Sequence, residues 1–303
     1  MSETLATALA EATAAFAAAG FEEPRRLARR LVAASLDLSP LAVLAHPERS
    51  LEAAERARLR GFLERMLARE PISRILGRRE FWGLDLALSR ETLDPRPESE
   101  VLVDCVLRRL SDRTAPLVML DLGTGSGCLL LALLSELPRA RGVGVDIARG
   151  AAAAARGNAR ALGLDDRASF VVGDWGQALG GPFDVVVANP PYIPSPAIPL
   201  LPREVRDYDP WRALDGGPDG FAAYRALAPD MARLAAPGGL FACEIGQGQE
   251  RPVSAILASA GLALVEVAPD LAGIPRVLLA RRESGGDKKS GWKAGPSRLG
   301  LRR

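Results

Sequence analysis

The stretch Leu117-Val118-Met119-Leu120-Asp121-Leu122-Gly123-Thr124-Gly125-Ser126-Gly127 decides the fold. Residues 117–122 read as a strand and residues 127–137 as a helix, so the glycines occupy the turn between them. Glycine lets the backbone turn tightly and lets a ligand approach the main chain. The free N–H groups at the start of the helix suit an anionic group such as a carboxylate or phosphate. The loop is not the dinucleotide spacing G-x-G-x-x-G, because its third glycine arrives one residue early. It is not a phosphate-binding P-loop either, since no Gly-Lys-Ser/Thr follows.

Outward from this turn the pattern alternates. Residues 142–147, 169–172, 183–188 and 240–245 read as strands, with late strands at 263–268 and 276–279. Residues 151–162, 221–234 and 251–260 read as helices. Such alternation predicts an α/β fold, a doubly wound, mostly parallel, seven-stranded sheet. In that architecture ligands sit at the carboxyl ends of the strands, so chemistry is sought in the loops that follow them.

Upstream, the first seventy residues read as a small helical bundle. A helix over 4–19 ends at Gly20, a second over 25–36 follows Pro24, and a third over 51–68 follows Ser50 as N-cap. Alternation in Arg79-Glu80-Phe81-Trp82-Gly83-Leu84-Asp85-Leu86-Ala87-Leu88 predicts a β-hairpin with a glycine turn. Asp94-Pro95-Arg96-Pro97 reads as an extended connector and hinge. The domain expectation is therefore 1–70 helical, 71–96 hairpin and linker, 97–282 the α/β domain, and 283–303 a tail.

Composition bounds the rest. Of 303 residues, 48% are apolar, 25% charged and only 5% aromatic, so Ala, Leu and Val must build the core. No run approaches the ~18–20 apolar residues of a membrane span. The start of the chain lacks the basic segment of a secretory signal, and the expectation is a cytoplasmic protein. Cys105, Cys128 and Cys243 stand far apart and His46 is the single histidine, which gives no zinc pattern. The net charge is +2. Residues 281–303 hold eight basic and two acidic groups, a local +6 that leaves −4 for the remainder. All three lysines (Lys288, Lys289, Lys293) fall there, which predicts a folded body with a basic, disordered tail.

Four strand ends carry the chemistry. The first is the glycine loop. The second ends Val143-Gly144-Val145-Asp146; an acidic residue at this distance after the glycines is placed to accept hydrogen bonds from both ribose hydroxyls. A helix-capping role before residues 151–162 is the alternative. The third ends Val172-Gly173-Asp174-Trp175, a carboxylate and an aromatic that together can bind and cover a purine, or be ordinary loop structure. The fourth ends Val187-Ala188-Asn189-Pro190-Pro191-Tyr192. A proline-rich turn is the bland reading of it. The functional one is that two prolines stiffen the backbone, so that the Asn189 side-chain oxygen and the Pro190 carbonyl are two fixed acceptors for one planar NH₂. Tyr192 can stack on the group bearing that NH₂.

An amide nitrogen is a poor nucleophile because its lone pair is delocalised. Hydrogen bonds to both N–H groups raise its electron density and orient it, with a sulfonium methyl in line at ~3–3.5 Å. The same acceptor pair rejects a carboxylate; unpaired polar groups of this kind cost ~10⁴-fold or more.

These residues resemble the class I S-adenosylmethionine methyltransferases with an Asn-Pro-Pro-Tyr motif, and within them the release-factor glutamine methyltransferases, the PrmC/HemK family. Glu70-Pro71-Ile72, Ile75-Leu76-Gly77, Glu80-Phe81-Trp82-Gly83-Leu84, Pro95-Arg96-Pro97-Glu98-Ser99-Glu100, Ala213-Leu214-Asp215-Gly216-Gly217 with Asp219-Gly220, and Glu244-Ile245-Gly246 are also similar to that family. The resemblance runs to about residue 280. It implies methylation of the glutamine in the Gly-Gly-Gln motif of bacterial peptide-chain release factors, with S-adenosyl-L-methionine as methyl donor and a helical N-terminal domain that helps hold the protein substrate. It implies cofactor contacts from Gly123, Thr124, Gly125, Ser126, Gly127, Asp146, Asp174, Trp175 and Asn189, substrate contacts from Asn189, Pro190, Pro191 and Tyr192, and catalysis by Asn189, Pro190 and Tyr192. Asp94 departs from the apolar residue expected before Pro-Arg-Pro, and the tail has no counterpart. Two other acceptors fit the same catalytic residues: a ribosomal-protein glutamine, or the exocyclic amine of a nucleic-acid base. The latter requires base extrusion and a basic footprint, which a body of charge −4 lacks.

Overall fold

Apolar strands buried on both faces build the larger part of the molecule. A computed structural model describes residues 3–282; the tail anticipated over 283–303 lies outside the described residues. The chain forms two units, one of residues 3–77 with 202–208, the other of residues 78–201 with 209–282.

In the first unit, helices Leu5–Ala18, Pro24–Ser35, Pro40–Ala45, Ala53–Leu67 and Ile72–Leu76 enclose a core of Leu5, Phe16, Leu31, Val32, Leu59 and Met66. Ser50 does not cap the fourth helix. Glu52 does, in a reciprocal pairing with Glu55, while Ser50 forms an isolated β-bridge with Thr4. The segment 202–208 joins this unit through an Arg69–Glu204 ion pair at 3.2 Å and a hydrogen bond from the Tyr208 hydroxyl to the Ala68 carbonyl at 3.0 Å. Arg69 also lies 3.9 Å over the Phe21 ring.

The second unit begins with the hairpin β1 (Arg78–Phe81) and β2 (Leu84–Ala87). Its two-residue turn, Trp82-Gly83, has φ of +54° and +70°, as the right-handed twist of a hairpin favours. The sheet follows: β3 (Val118–Leu122), β4 (Arg141–Asp146), β5 (Ala168–Val172), β6 (Phe183–Ala188), β7 (Ala235–Glu244), β8 (Leu262–Pro269) and β9 (Pro275–Arg282). Their order is β5-β4-β3-β6-β7-β9-β8, parallel except for β9, which runs antiparallel to both β7 and β8. Side chains alternate between two cores. Met119, Val185 and Val187 face the helices Glu100–Arg109 and Cys128–Glu136, whereas Leu120, Leu122 and Val186 face Ala222–Leu234 and Glu250–Ser259. Sequence reading overlooked helix Glu100–Arg109, although Leu102, Val103, Cys105 and Val106 are its buried face.

The chain runs outward from β3 to β5 and then returns to place β6 against the other side of β3. That reversal is the switch point at which doubly wound sheets bind ligands.

Close packing supports this edge. A Cβ on Gly144 in β4 would stand 2.6 Å from the Phe170 ring and 2.7 Å from the Thr124 hydroxyl. Gly157, within helix Arg149–Ala161, has no atom within 4 Å of its Cβ position. Gly144→Ala is expected to destabilise by ~1–3 kcal/mol, and Gly157→Ala to stabilise by ~0.5–1 kcal/mol, both measured by denaturant unfolding.

Candidate active site

Parallel register brings the strand-end motifs together. Leu122 of β3 lies opposite Val145 of β4 and Ala188 of β6. Asp146 of β4 lies opposite Val172 of β5, and Ala188 lies opposite Cys243 of β7. Gly123, Asp146, Asn189 and Glu244 therefore emerge at one edge of the sheet.

The glycine loop is built for close approach. Gly123, Gly125 and Gly127 take φ of +75°, +56° and +83°, values that side-chain-bearing residues rarely adopt. Gly127 precedes helix Cys128–Glu136, so the loop delivers backbone N–H groups to the edge. Thr124 donates its hydroxyl to Asp121 Oδ2 at 2.6 Å. Asn158, a buried amide on helix Arg149–Ala161, donates to the Ser126 carbonyl at 2.9 Å and exchanges two hydrogen bonds with the backbone of Ala87. The hairpin is thereby tied to the glycine loop through one side chain.

Asp146 accepts from Gly125 N–H through Oδ2 and from Ala148 N–H through Oδ1, each at 2.8 Å. These bonds fix the carboxylate plane and leave each oxygen a further lone pair. Trp175, at φ +46°, sets its ring 3.5 Å from the position that a Gly123 Cβ would take. Asp174 is exposed, with Oδ2 accepting from Gln177 Nε2 at 3.0 Å.

Asn189 stands at the end of β6 with its amide nitrogen turned inward. Nδ2 donates to Glu244 Oε2 at 2.9 Å and to Ser99 Oγ at 3.2 Å. The Ser99 hydroxyl donates to the same Oε2, and the Tyr192 hydroxyl donates to Oε1 at 3.3 Å. Gln249 Nε2 donates to the Tyr192 carbonyl at 2.9 Å while its Oε1 accepts from Gly246 N–H at 3.0 Å. The Asp-Gly-Gly loop closes under the motif: a Cβ on Gly216 would fall 2.9 Å from the Tyr192 carbonyl carbon, and one on Gly220 2.7 Å from the Tyr192 oxygen. Ile193 N–H donates to the Leu214 carbonyl at 3.0 Å, and Gly216 N–H to the Ile193 carbonyl at 2.8 Å.

Glu244, Ser99, Gln249 and Asn158 were not singled out as site residues from sequence. Glu244 and Ser99 stand inside stretches that resemble the family, but Glu244 meets Asn189 only through the β6–β7 register, and Ser99 reaches both from a turn far upstream. His46 lies in the helical unit near Glu48, outside this constellation.

Comparisons with known proteins agree with the geometry. Residues 7–77 match a family model described as the PrmC N-terminal domain, and residues 114–258 one described as a methyltransferase domain. A release factor glutamine methyltransferase of Rhodospirillum rubrum is 53% identical over 268 residues, covering 88% of this chain and 82% of that protein. One from Bradyrhizobium diazoefficiens is 49% identical, covering 87% of this chain and 90% of that protein. A crystal structure of a methyltransferase from Pyrococcus furiosus shares the fold at 16% identity, with a TM-score of 0.50 over 73% of this chain and 97% of that one. Among the described residues no helix is long and apolar enough to cross a membrane.

Burial sets the electrostatics. Desolvation raises the carboxyls of Glu244 and Asp146 above their ordinary values, against hydrogen bonds that lower them. Asp121, enclosed beneath the glycine loop, is raised from 3.8 to about 7, chiefly by desolvation. A carboxyl raised on folding binds its proton more tightly in the native state. Its stabilising contribution is complete below pH 3.8 and is lost as pH rises to about 7. Asp121→Asn is expected to remove that slope, up to about 4 kcal/mol across the window. Denaturant titrations of both proteins between about pH 4 and 8 measure it.

Proposed function

This chain belongs to the release factor glutamine methyltransferase family, and we propose that it transfers a methyl group from S-adenosyl-L-methionine to the side-chain amide nitrogen of the Gly-Gly-Gln glutamine in bacterial peptide-chain release factors. The observation that carries the reading is the orientation of Asn189. Its Nδ2 is spent on Glu244 and Ser99, which leaves Oδ1 as an acceptor for an incoming N–H.

The residues present fit the donor. Gly123 and Gly125 hold left-handed conformations, and no atom stands within 4 Å of a Gly125 Cβ position, so the loop backbone is open to a ligand. Bound there, S-adenosylmethionine supplies an electrophilic methyl on a sulfonium. Gly123, Thr124, Gly125, Ser126 and Gly127 would hold its carboxylate by backbone N–H groups. Asp146 would accept from the ribose hydroxyls with its remaining lone pairs, and Trp175 with Asp174 would cover and bind the purine.

The acceptor chemistry belongs to the Asn-Pro-Pro-Tyr motif. Asn189 Oδ1 and the Pro190 carbonyl take the two amide N–H groups, holding the nitrogen in position and enriching its electron density. Pro190 and Pro191 fix φ and keep the two acceptors from drifting. Tyr192 packs on the amide plane, its hydroxyl anchored to Glu244. A carboxylate acceptor would bring lone pairs against lone pairs, so glutamate in the same position is excluded. The helical unit helps hold the protein substrate, and the place of action is the cytoplasm. A ribosomal-protein glutamine would meet the same catalytic residues; the family relationship favours release factors.

Incubation of a bacterial release factor with this protein and labelled S-adenosylmethionine, followed by peptide mass spectrometry, is expected to find a single added methyl on the Gly-Gly-Gln glutamine. Asn189→Ala is expected to lower the rate by ~10³-fold. Label on a ribosomal protein or RNA instead would reassign the acceptor.

A further inference from the structure

Four buried or half-buried side chains from three separate stretches of the chain meet at the end of β6. Glu244 ends β7 and is only 2% exposed. Ser99 ends the short turn Pro97–Ser99 and is likewise 2% exposed. Tyr192 and Asn189 complete the group. The proposed chemistry uses Asn189 and Tyr192 directly but gives Glu244 and Ser99 no contact with substrate.

We propose that Glu244, supported by Ser99, is a positioning residue that fixes which way the Asn189 amide faces and thereby makes the site selective for an acceptor that bears NH₂. This rests on the reading of Asn189 Oδ1 as an acceptor for the substrate amide.

The donor and acceptor inventory determines the orientation. The Ser99 hydroxyl gives its one proton to Glu244 Oε2, so it can offer Asn189 only a lone pair. Glu244 Oε2 offers Asn189 a second lone pair. Two acceptors converge on one end of the Asn189 amide, and only the NH₂ end satisfies them. The reversed amide would bury Oδ1 against two lone pairs, a loss of two hydrogen bonds in a desolvated setting. It would also present NH₂ to the substrate, where a carbonyl or carboxylate would bind in place of an amide nitrogen. Glu244 is itself held: Tyr192 donates to its other oxygen, and the Tyr224 hydroxyl donates to its backbone carbonyl at 2.9 Å. The β6–β7 register, with Ala188 opposite Cys243, sets the next residue of each strand side by side.

A swap of partners tests this. In Asn189→Asp a carboxylate faces a carboxylate. The double variant N189D/E244Q exchanges the two groups. The amide nitrogen introduced at position 244 then donates to the carboxylate introduced at position 189 and to Ser99 Oγ. The amide oxygen at 244 accepts from Tyr192, and an oxygen at 189 still faces outward. On the full chain, with a release factor as acceptor, N189D is expected to lose ~10³-fold in kcat and E244Q less than ~10-fold. The double variant is expected to exceed N189D by at least ~10-fold. Calorimetric affinity for S-adenosylmethionine is expected to stay within about threefold of wild type in E244Q, and binding in each of the four proteins reports that it is folded. Denaturant unfolding of the same four proteins reads the coupling with no acceptor present, and N189D/E244Q is expected to be more stable than N189D. A double variant no better than N189D in both rate and stability would overturn the proposal. Wild-type protein inactive on a release factor, with the stability coupling intact, would overturn the acceptor reading and leave Glu244's role standing.

Discussion

Leu122 lies opposite Ala188, and the rest of the site depends on that pairing. In a parallel sheet two adjacent strands that end in register deliver their loops to the same edge. Because the chain reverses between β5 and β6, the first loop and the fourth become neighbours. A one-residue slip between β3 and β6 would turn β6 over, sending Asn189 to the opposite face and Val185 and Val187 into the wrong core. The alternation of buried residues along these strands is thus what holds the chemistry in place. The glycine loop and the Asn-Pro-Pro-Tyr motif therefore meet although they are far apart in sequence.

The edge is expensive to build. Asp121, Asp146 and Glu244 all carry carboxyls raised by desolvation, and the first and last are almost wholly enclosed. Each is kept because a buried acceptor has a definite partner: Asp121 takes the Thr124 hydroxyl, Asp146 orders the backbone at Gly125 and Ala148, and Glu244 takes Asn189, Ser99 and Tyr192. Such groups cost stability in the protein alone and return it as preorganised geometry. The glycines that approach Tyr192, at 216 and 220, serve the same end by letting one loop support the backbone of another.

Legibility in the sequence followed chemistry that is local to one strand end. The glycine loop, Asp146 and the Asn-Pro-Pro-Tyr motif could each be read because a strand, a turn and a distinctive residue stand together. The alternation of strands and helices carried the sheet for the same reason. What escaped was chemistry made by pairing. Glu244 looks like any acid at the end of a strand until β7 is set beside β6, and Ser99 reaches it from a turn far upstream. Asn158 is a polar residue in an alanine-rich helix whose partners, Ala87 and Ser126, lie in two other segments. The helix after Ser50 begins two residues later than its cap signal suggests, with Glu52 as cap, and the Ser50 backbone bridges Thr4, a contact that no local pattern contains. The inclusion of residues 202–208 in the helical unit depends likewise on Arg69 and Tyr208 meeting partners distant in sequence.

The most direct measurement is a crystal structure of the full chain with S-adenosylhomocysteine and a peptide containing Gly-Gly-Gln. The glutamine nitrogen is expected within ~4 Å of the sulfur, with its two N–H groups on Asn189 Oδ1 and the Pro190 carbonyl and the nucleoside sugar on Asp146. A glutamine seated away from Asn189, or a nucleoside bound away from the edge formed by β3 and β4, would contradict it.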